Sequence, residues 1–294
     1  FGIWSKYVLN LGFFPNSIMA ISIIGSEFNF DLVKSILINF KNNFTRPHII
    51  GIFFFNLCIL SSSILLNKRW LSLLSILFIF TLFIHLAFAK LGWLYRYEAY
   101  LMVFALLNVF LYIYSVYKVN INWTLLALFL LPIFYNQVIN SLVVSIIGTK
   151  NIYEQQIQMA KFLHDYCNSC NVAANDIGAI TYYTNIHLLD LVGLANYEVL
   201  EHKKNGTFNN KFVNDLLAKK HISLIIVYDS WFIGINFKNY TKIATWTIKH
   251  NVVCGGDTVS FYSINDQVPE NTWKIKEYSE NKLPKDVTVK FFNQ

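Results

Sequence analysis

Apolar residues are concentrated in four long runs, at 47–66, 70–89, 97–117 and 123–147, each long enough for the ~20 residues that a helix needs to cross a bilayer. The links between them are short and polar: Asn67-Lys68-Arg69, residues 90–96 and residues 118–122. Inside lipid every backbone N–H and C=O must be satisfied within the segment, so these runs read as helices. Trp70, Trp93 and Trp123, with Tyr95, Tyr97, Tyr114 and Tyr117, stand at the run ends, where interfacial aromatics belong. Pro132 falls inside the fourth run, where neighbouring helices re-satisfy the freed carbonyl. Ahead of the first run, residues 28–44 place Phe28, Leu32, Val33, Ile36, Leu37, Phe40 and Phe44 at helical spacing between Asp31, Lys34, Lys41 and Asn42. That pattern predicts an amphipathic helix lying in the membrane interface.

Beyond residue 150 the pattern changes. Residues 153–166 read as an amphipathic helix, 171–174 and 187–192 as strands, and 208–220 as a second helix. The last leads into 223–228 (SLIIVY), a short apolar run typical of a buried parallel strand. Two later strands are expected at 246–250 and 259–263, with Gly255-Gly256-Asp257 as a hairpin turn. The order predicts a small α/β domain with its sheet covered on at least one face. The expected organisation is a loop and interfacial helix over 1–46, four transmembrane helices over 47–147 and a soluble α/β domain over 148–294.

Composition supports the division. The chain is 55% hydrophobic and only 14% charged, against about 25% charged in soluble domains. Residues 1–150 hold 10 of its 24 basic and 3 of its 17 acidic residues, so the whole net charge of +7 lies in the apolar half. A basic excess there suits lipid phosphates and anionic head groups rather than nucleic acid. Loop charges give no support to an outward-facing α/β domain and, taken alone, lean against it. The chain opens on Phe1 rather than Met with no cleaved signal, which is expected of a portion of a longer protein. Cys167 and Cys170 form a C-x-x-C without the second ligand pair of a zinc site; a disulfide and two separate thiols both remain open.

The chain lacks a G-x-G-x-x-G, a Walker loop, an H-E-x-x-H and a G-x-S-x-G. Charges at the mouth of two spans are costly unless paired or functional. Lys90, Arg96 and Glu98 are such a group, with Tyr97 between the last two. Arg96 either snorkels and pairs with Glu98, or joins Lys90 in holding a lipid phosphate. His85 lies about one turn inside the same end. Asn56, Asn108, Asn136 and Asn140 are expected to hydrogen-bond between helices. In the α/β half, Asn175, Asp176 and Gly178 follow one expected strand and Asp190 ends another. Asp176 is placed to cap a short helix and Gly178 to relieve crowding, while Asp190 suits a turn. The alternative for both acids is a role facing substrate.

Several stretches, in order, resemble bacterial GT-C membrane glycosyltransferases, of the glycosyltransferase 39-like and arabinofuranosyltransferase-like kind. These are residues 152–163, VAANDIGAITYYT, LLDLVGL, Arg96-Tyr97-Glu98-Ala99-Tyr100-Leu101, and Phe14-Pro15-Asn16-Ser17-Ile18-Met19-Ala20. The last is similar to the family's L-P-N-[ST]-x-x-A-K loop, with Ile21 where the family has lysine. The resemblance implies transfer of a sugar from a polyprenyl-phosphate carrier to a glycan, lipid or protein acceptor on the outer face of a bacterial plasma membrane. It implies that the α/β domain is extracytoplasmic. Pro15, Asn16, His85, Lys90, Arg96, Tyr97 and Glu98 would then lie on the lipid-phosphate side, and Asn175, Asp176, Gly178 and Asp190 on the acceptor side. The family's catalytic carboxylates sit in an early extracytoplasmic loop upstream of Phe1, so no catalytic base is named in this chain. Any divalent metal would be held by residues outside it. The other reading is a non-catalytic, membrane-anchored binding or scaffold protein of the cell envelope.

Overall fold

The computed structural model describes residues 7–8, 16, 19, 30–89, 91–92, 96–117 and 139–292. Pro15, Lys90, Asn136 and most of the fourth apolar run lie outside the described residues. The chain divides into two compact units, one of residues 21–141 and one built on residues 142–294 with residues 1–20.

The first unit is helical: α1 (Phe30–Phe44), α2 (Pro47–Leu65), α3 (Arg69–Phe88) and α4 (Ala99–Tyr117). Three of these helices are long and apolar enough to cross a membrane, α2, α3 and α4, the last over Ala99–Val116. Their shared interior holds Ile49, Ile52, Phe78, Leu82, Leu86, Leu101 and Ala105. Asn108 Nδ2 donates to Asn56 Oδ1 at 2.9 Å, joining α4 to α2, as the sequence predicts for this pair; Asn140 instead is exposed. An interhelical amide pair of this kind contributes about 0.6 kcal/mol.

The helix α1 has two apolar sides. Phe40 and Phe44 pack inward against Phe83 and Phe53, while Phe30, Val33, Leu37 and Ile38 are exposed. Between them Asn39 donates to the carbonyls of Leu86, Ala87 and Ala89, and Asn43 to those of Leu86 and Ala89. The last carbonyls of a helix have no partner within it, so these two amides cap α3 from outside.

The second unit is α/β. Helical residues 139–152 pass through a π-helical turn (Tyr153–Ile157) into α5 (Gln158–Tyr166). There follow β1 (Asn171–Ala174), α6 (Gly178–Tyr183), β2 (His187–Asp190), α7 (Tyr197–Lys204), α8 (Asn210–Lys219), β3 (Leu224–Val227), β4 (Tyr240–Thr247), β5 (Thr258–Ile264), α9 (Val268–Asn281) and β6 (Thr288–Phe291). The sheet runs β2-β1-β3-β5-β4-β6. The first three strands are parallel, with Val172 opposite both Leu188 and Leu224, and the rest are antiparallel.

Side chains alternate across the sheet as a strand requires. Val172, Ala174, Leu224, Ile226 and Tyr228 meet Met159 and Phe162 of α5, Ile180 of α6 and Ile275 and Tyr278 of α9. Ala173, Ile225 and Val227 meet Val199 of α7 and Val213, Leu216 and Leu217 of α8. Both faces are covered, which explains the unbroken apolar run of β3. On the first face Trp246 is fully buried beside Phe162, Phe261 and Tyr278. Tyr278 also donates from Oη to Gln158 Oε1 at 2.8 Å, closing α9 onto α5.

Two expected elements shift. The strand expected at 246–250 occupies 240–247, and Ile248, Lys249 and His250 begin a loop, with His250 in the left-handed region at φ 52°. Gly255-Gly256-Asp257 lies in that loop, between paired antiparallel strands but not as a two-residue turn. A bond closes Cys167 to Cys170, across the corner from α5 to β1.

Candidate functional site

The two units each gather polar side chains, and each group stands by itself. In the helical unit Glu98 precedes α4 and is fully buried. Its Oε2 accepts from the Gly92 backbone N–H at 2.9 Å, and its Oε1 lies 3.8 Å from His48 Nε2. Glu98 therefore faces His48 and Gly92, against the first of the two readings of Arg96, in which Glu98 is its ion-pair partner. Arg96 is exposed, with its guanidinium 5.3 Å from the centre of the Tyr97 ring. The buried His85 pairs with Tyr100 through Nδ1 and Oη at 2.7 Å, joining α3 to α4. His48 and Tyr100 were missed in sequence reasoning, since a histidine one residue after Pro47 and a tyrosine in an aromatic-rich run carry no motif. Asn16 is half-buried; Pro15 and Lys90 lie outside the described residues.

In the α/β unit the parallel strands β1 and β3 are neighbours, but the chain visits β2 between them, on the far side of β1. This reversal is a topological switch point, and in open α/β sheets ligands bind at the carboxyl ends of strands there. Asn175 and Asp176 follow β1, Tyr228 and Asp229 follow β3, and the loop of Cys254, Gly255 and Gly256 closes over them. The π-helical turn supplies the remaining wall. It buries Glu154, Gln155 and Gln156 in succession, three consecutive positions that a regular helix would spread over more than half its circumference. Single π turns of this kind are frequent at functional sites.

The hydrogen bonds are unequal. Tyr228 Oη has one proton and gives it to Gln155 Oε1 at 2.6 Å; Gln155 Nε2 in turn holds the carbonyls of Gly256 and Asp257 at 3.1 and 3.2 Å. Gln156 Nε2 donates both to Tyr228 Oη, at 2.8 Å, and to Asp176 Oδ2. With its proton engaged by Gln155, Tyr228 gives little to Asp176, 3.3 Å away. Asp176 is thus a largely buried carboxyl with one N–H on one oxygen. Burial raises its proton affinity above the ordinary carboxyl value, and the bonds from Gln156 and Tyr228 only partly oppose this. Burial likewise pushes the Cys254 thiol up to about 12, with the Asp176 charge adding to it. Beside them Asn175 accepts from the Tyr228 backbone N–H at 3.2 Å, while its buried Nδ2 has no partner among the described residues. Asp176, half-buried at the rim of this packed polar network, is the member with a carboxyl oxygen able to accept a further hydroxyl proton.

The loop leaves no room to spare. A Cβ on Gly255 would lie 2.6 Å from the Trp231 ring and 2.8 Å from the Tyr228 ring. Trp231 Nε1 donates to the Gly255 carbonyl at 3.1 Å, fixing the indole over the loop.

Other expectations change. Ile177, not Asp176, is the N-cap of α6 and no side chain caps that helix. No atom lies within 4 Å of a Cβ placed on Gly178, so it relieves no crowding. Asp190 is buried in a turn, with its carboxylate taken by the N–H groups of Val192, Gly193 and Ala195. Asp229 is also engaged: although burial opposes it, bonds from Lys242, Ser260 and Tyr262 hold its carboxyl below the usual range. Among the described residues no His, Cys, Asp or Glu group could hold a metal.

An isosteric test follows for Asp176. Its carboxyl binds a proton more tightly folded than unfolded, so its contribution to stability falls as pH rises from 3.8, the ordinary value, through the raised one. Asp176→Asn is therefore expected to stabilise the chain at pH 7 by about 1 kcal/mol and to flatten that part of the pH profile. Thermal unfolding of the solubilised protein from pH 4 to 8 checks it, and a lowered midpoint at pH 7 would count against the strained carboxyl.

A family model described as a domain of unknown function, DUF8728, matches residues 150–262. That segment holds every crevice residue from Gln155 to Gly256 and stops before α9 and β6. No curated protein and no solved structure matches the chain.

Proposed function

We propose that this chain is the C-terminal portion of a glycosyltransferase of a bacterial plasma membrane, moving a sugar from a polyprenyl-phosphate carrier to an extracytoplasmic acceptor. One observation carries the reading. At the start of α4, Glu98 is buried against Gly92 and His48 while Arg96 stands exposed and unpaired with it. A guanidinium released from its neighbouring carboxylate, at the end of an apolar helix, offers a planar fork to a lipid-borne phosphate. The resemblance to GT-C enzymes supplies the reaction, and the catalytic carboxylates belong to the family's upstream loop. An extracytoplasmic α/β domain is supported by the Cys167–Cys170 bond, since disulfides persist in oxidising compartments. The crevice beside Asp176 would receive the acceptor hydroxyl.

Arg96→Ala is expected to lower turnover of a polyprenyl-phosphate sugar by about 10- to 100-fold, the scale of a lost charge-assisted hydrogen bond. Thermal stability should be unchanged. The assay uses the longer protein in proteoliposomes; normal turnover in the variant removes Arg96 from the carrier site. In the second reading the helices are only an anchor and the crevice binds an envelope polymer. It is favoured by a family match confined to residues 150–262, and ligand binding without turnover would select it.

A further inference from the structure

We infer that the carboxyl edge of the α/β sheet is a lipid-contact face, seated on the bilayer surface. The inference rests on the membrane reading of the apolar helices and not on the transferase reading. The helix of residues 142–152 enters the domain at this edge: Asn151 donates to the Lys249 carbonyl and accepts from the Val252 N–H. This helix is the described end of the apolar run 123–147. Leu142, Val143 and Ile146, the last 76% exposed, form an exposed stripe at i, i+1 and i+4 that none of the described residues covers.

The loops beside that stripe continue it. Val252, in the loop between β4 and β5, is exposed next to the residues that grip the helix. Trp231 and Ile233 follow β3 at the same edge and are 45% and 87% exposed. Trp231 is tied to that loop by its bond to Gly255. An indole with its N–H engaged, flanked by aliphatic side chains, is the composition of an interfacial anchor. The exposed cation Lys249 stands beside Val252, where head-group phosphates would meet it.

The opposite edge differs. There Asn171, His187, Lys219, Lys220 and His221, with the apolar Ile186, Leu188, Leu189 and Ile222, line an open hollow of 610 Å³. That edge carries two lysines in a mixed lining with, among the described residues, no exposed tryptophan or aliphatic stripe running on from the helix. Occupation of the carboxyl edge by a bilayer follows from its continuity with the helix stripe.

The test uses the full chain with Cys58→Ser, nitroxide-labelled singly at Ile233→Cys or Val252→Cys, in phosphatidylethanolamine–phosphatidylglycerol vesicles. Leu73→Cys on the exposed side of α3 and Lys220→Cys at the hollow are the references, and the Cys58→Ser parent sets the background. Collision with oxygen relative to a nickel chelate should be several-fold higher at 233 and 252 than at 220, and should approach the value at 73. Labels at 233 and 252 that match 220 while 73 reports lipid would overturn the inference and leave the membrane reading standing. An aqueous signal at 73 as well would overturn both.

Discussion

Asp190→Ala is expected to cost about 3 kcal/mol, a large share of the roughly 5–15 kcal/mol that keeps a typical domain folded. The reason is the number of donors that one carboxylate serves. Oδ1 accepts from Val192 N–H at 2.7 Å, and Oδ2 from Gly193 and Ala195 N–H at 3.1 and 2.7 Å. Alanine leaves the buried Gly193 N–H without a partner and the part-buried Val192 and Ala195 N–H groups with water at best, and buried donors without partners cost more than the bonds contribute when made. The turn cannot rearrange to rescue them. Gly193 is at φ 97°, and a Cβ there would lie 2.8 Å from the Leu200 backbone, so the chain is pressed against α7. Asp190→Asn keeps one acceptor oxygen but loses the charge and turns an NH2 donor toward the remaining N–H groups, and about 1–2 kcal/mol is expected. Thermal unfolding of the solubilised chain checks both; an alanine variant as stable as the asparagine one would show that the turn has another support.

Trp246→Ala should be at least as damaging, by about 3–5 kcal/mol. The indole is fully buried, with ring centres 4.6 Å from Phe261, 5.7 Å from Tyr278 and 5.9 Å from Phe162. These partners come from β5, α9 and α5, so the cavity would open where three elements meet and none could collapse alone. The Nε1–H also holds Ser279 Oγ at 3.1 Å. Trp246→Phe retains the packing and loses that bond, and should keep most of the stability. Chemical denaturation of both variants gives the comparison, and a loss below about 1 kcal/mol in the alanine variant would mean the core repacks.

The apolar helical half was legible because hydrophobic length is a blunt signal. Runs at 47–66 and 70–89 correspond to helices at Pro47–Leu65 and Arg69–Phe88. The buried strand β3 was equally plain, since SLIIVY is apolar on both faces of the sheet. Strand β4 was misplaced because Thr241, Lys242 and Thr245 give it a polar start, and only Trp246 stood out. The two-sided nature of α1 was hidden in one pattern: Phe40 and Phe44 serve the bundle while Val33 and Leu37 stay exposed. The crevice was half visible. Asn175 and Asp176 were noticed at the end of a strand, but the cap assigned to Asp176 required the helix to begin one residue earlier than it does. Gln155 and Gln156 read as the polar face of an amphipathic helix. Nothing local says that a π turn rotates them into the core, where their partners Tyr228, Gly256 and Asp257 lie more than 70 residues away. Such a network belongs to the tertiary structure, and no window of sequence contains it.

The closure of α9 onto α5 has a consequence for biosynthesis. Gln158 and Tyr278 are 120 residues apart, and at roughly 5–20 residues per second of synthesis the first waits about 6–24 seconds for the second to emerge. During that interval β1 and α6 can already pack on α5, but Phe162 still lacks Trp246, Phe261 and Tyr278, the rings that close around it. The core around Phe162 is therefore completed only when the last helix of the domain has been made.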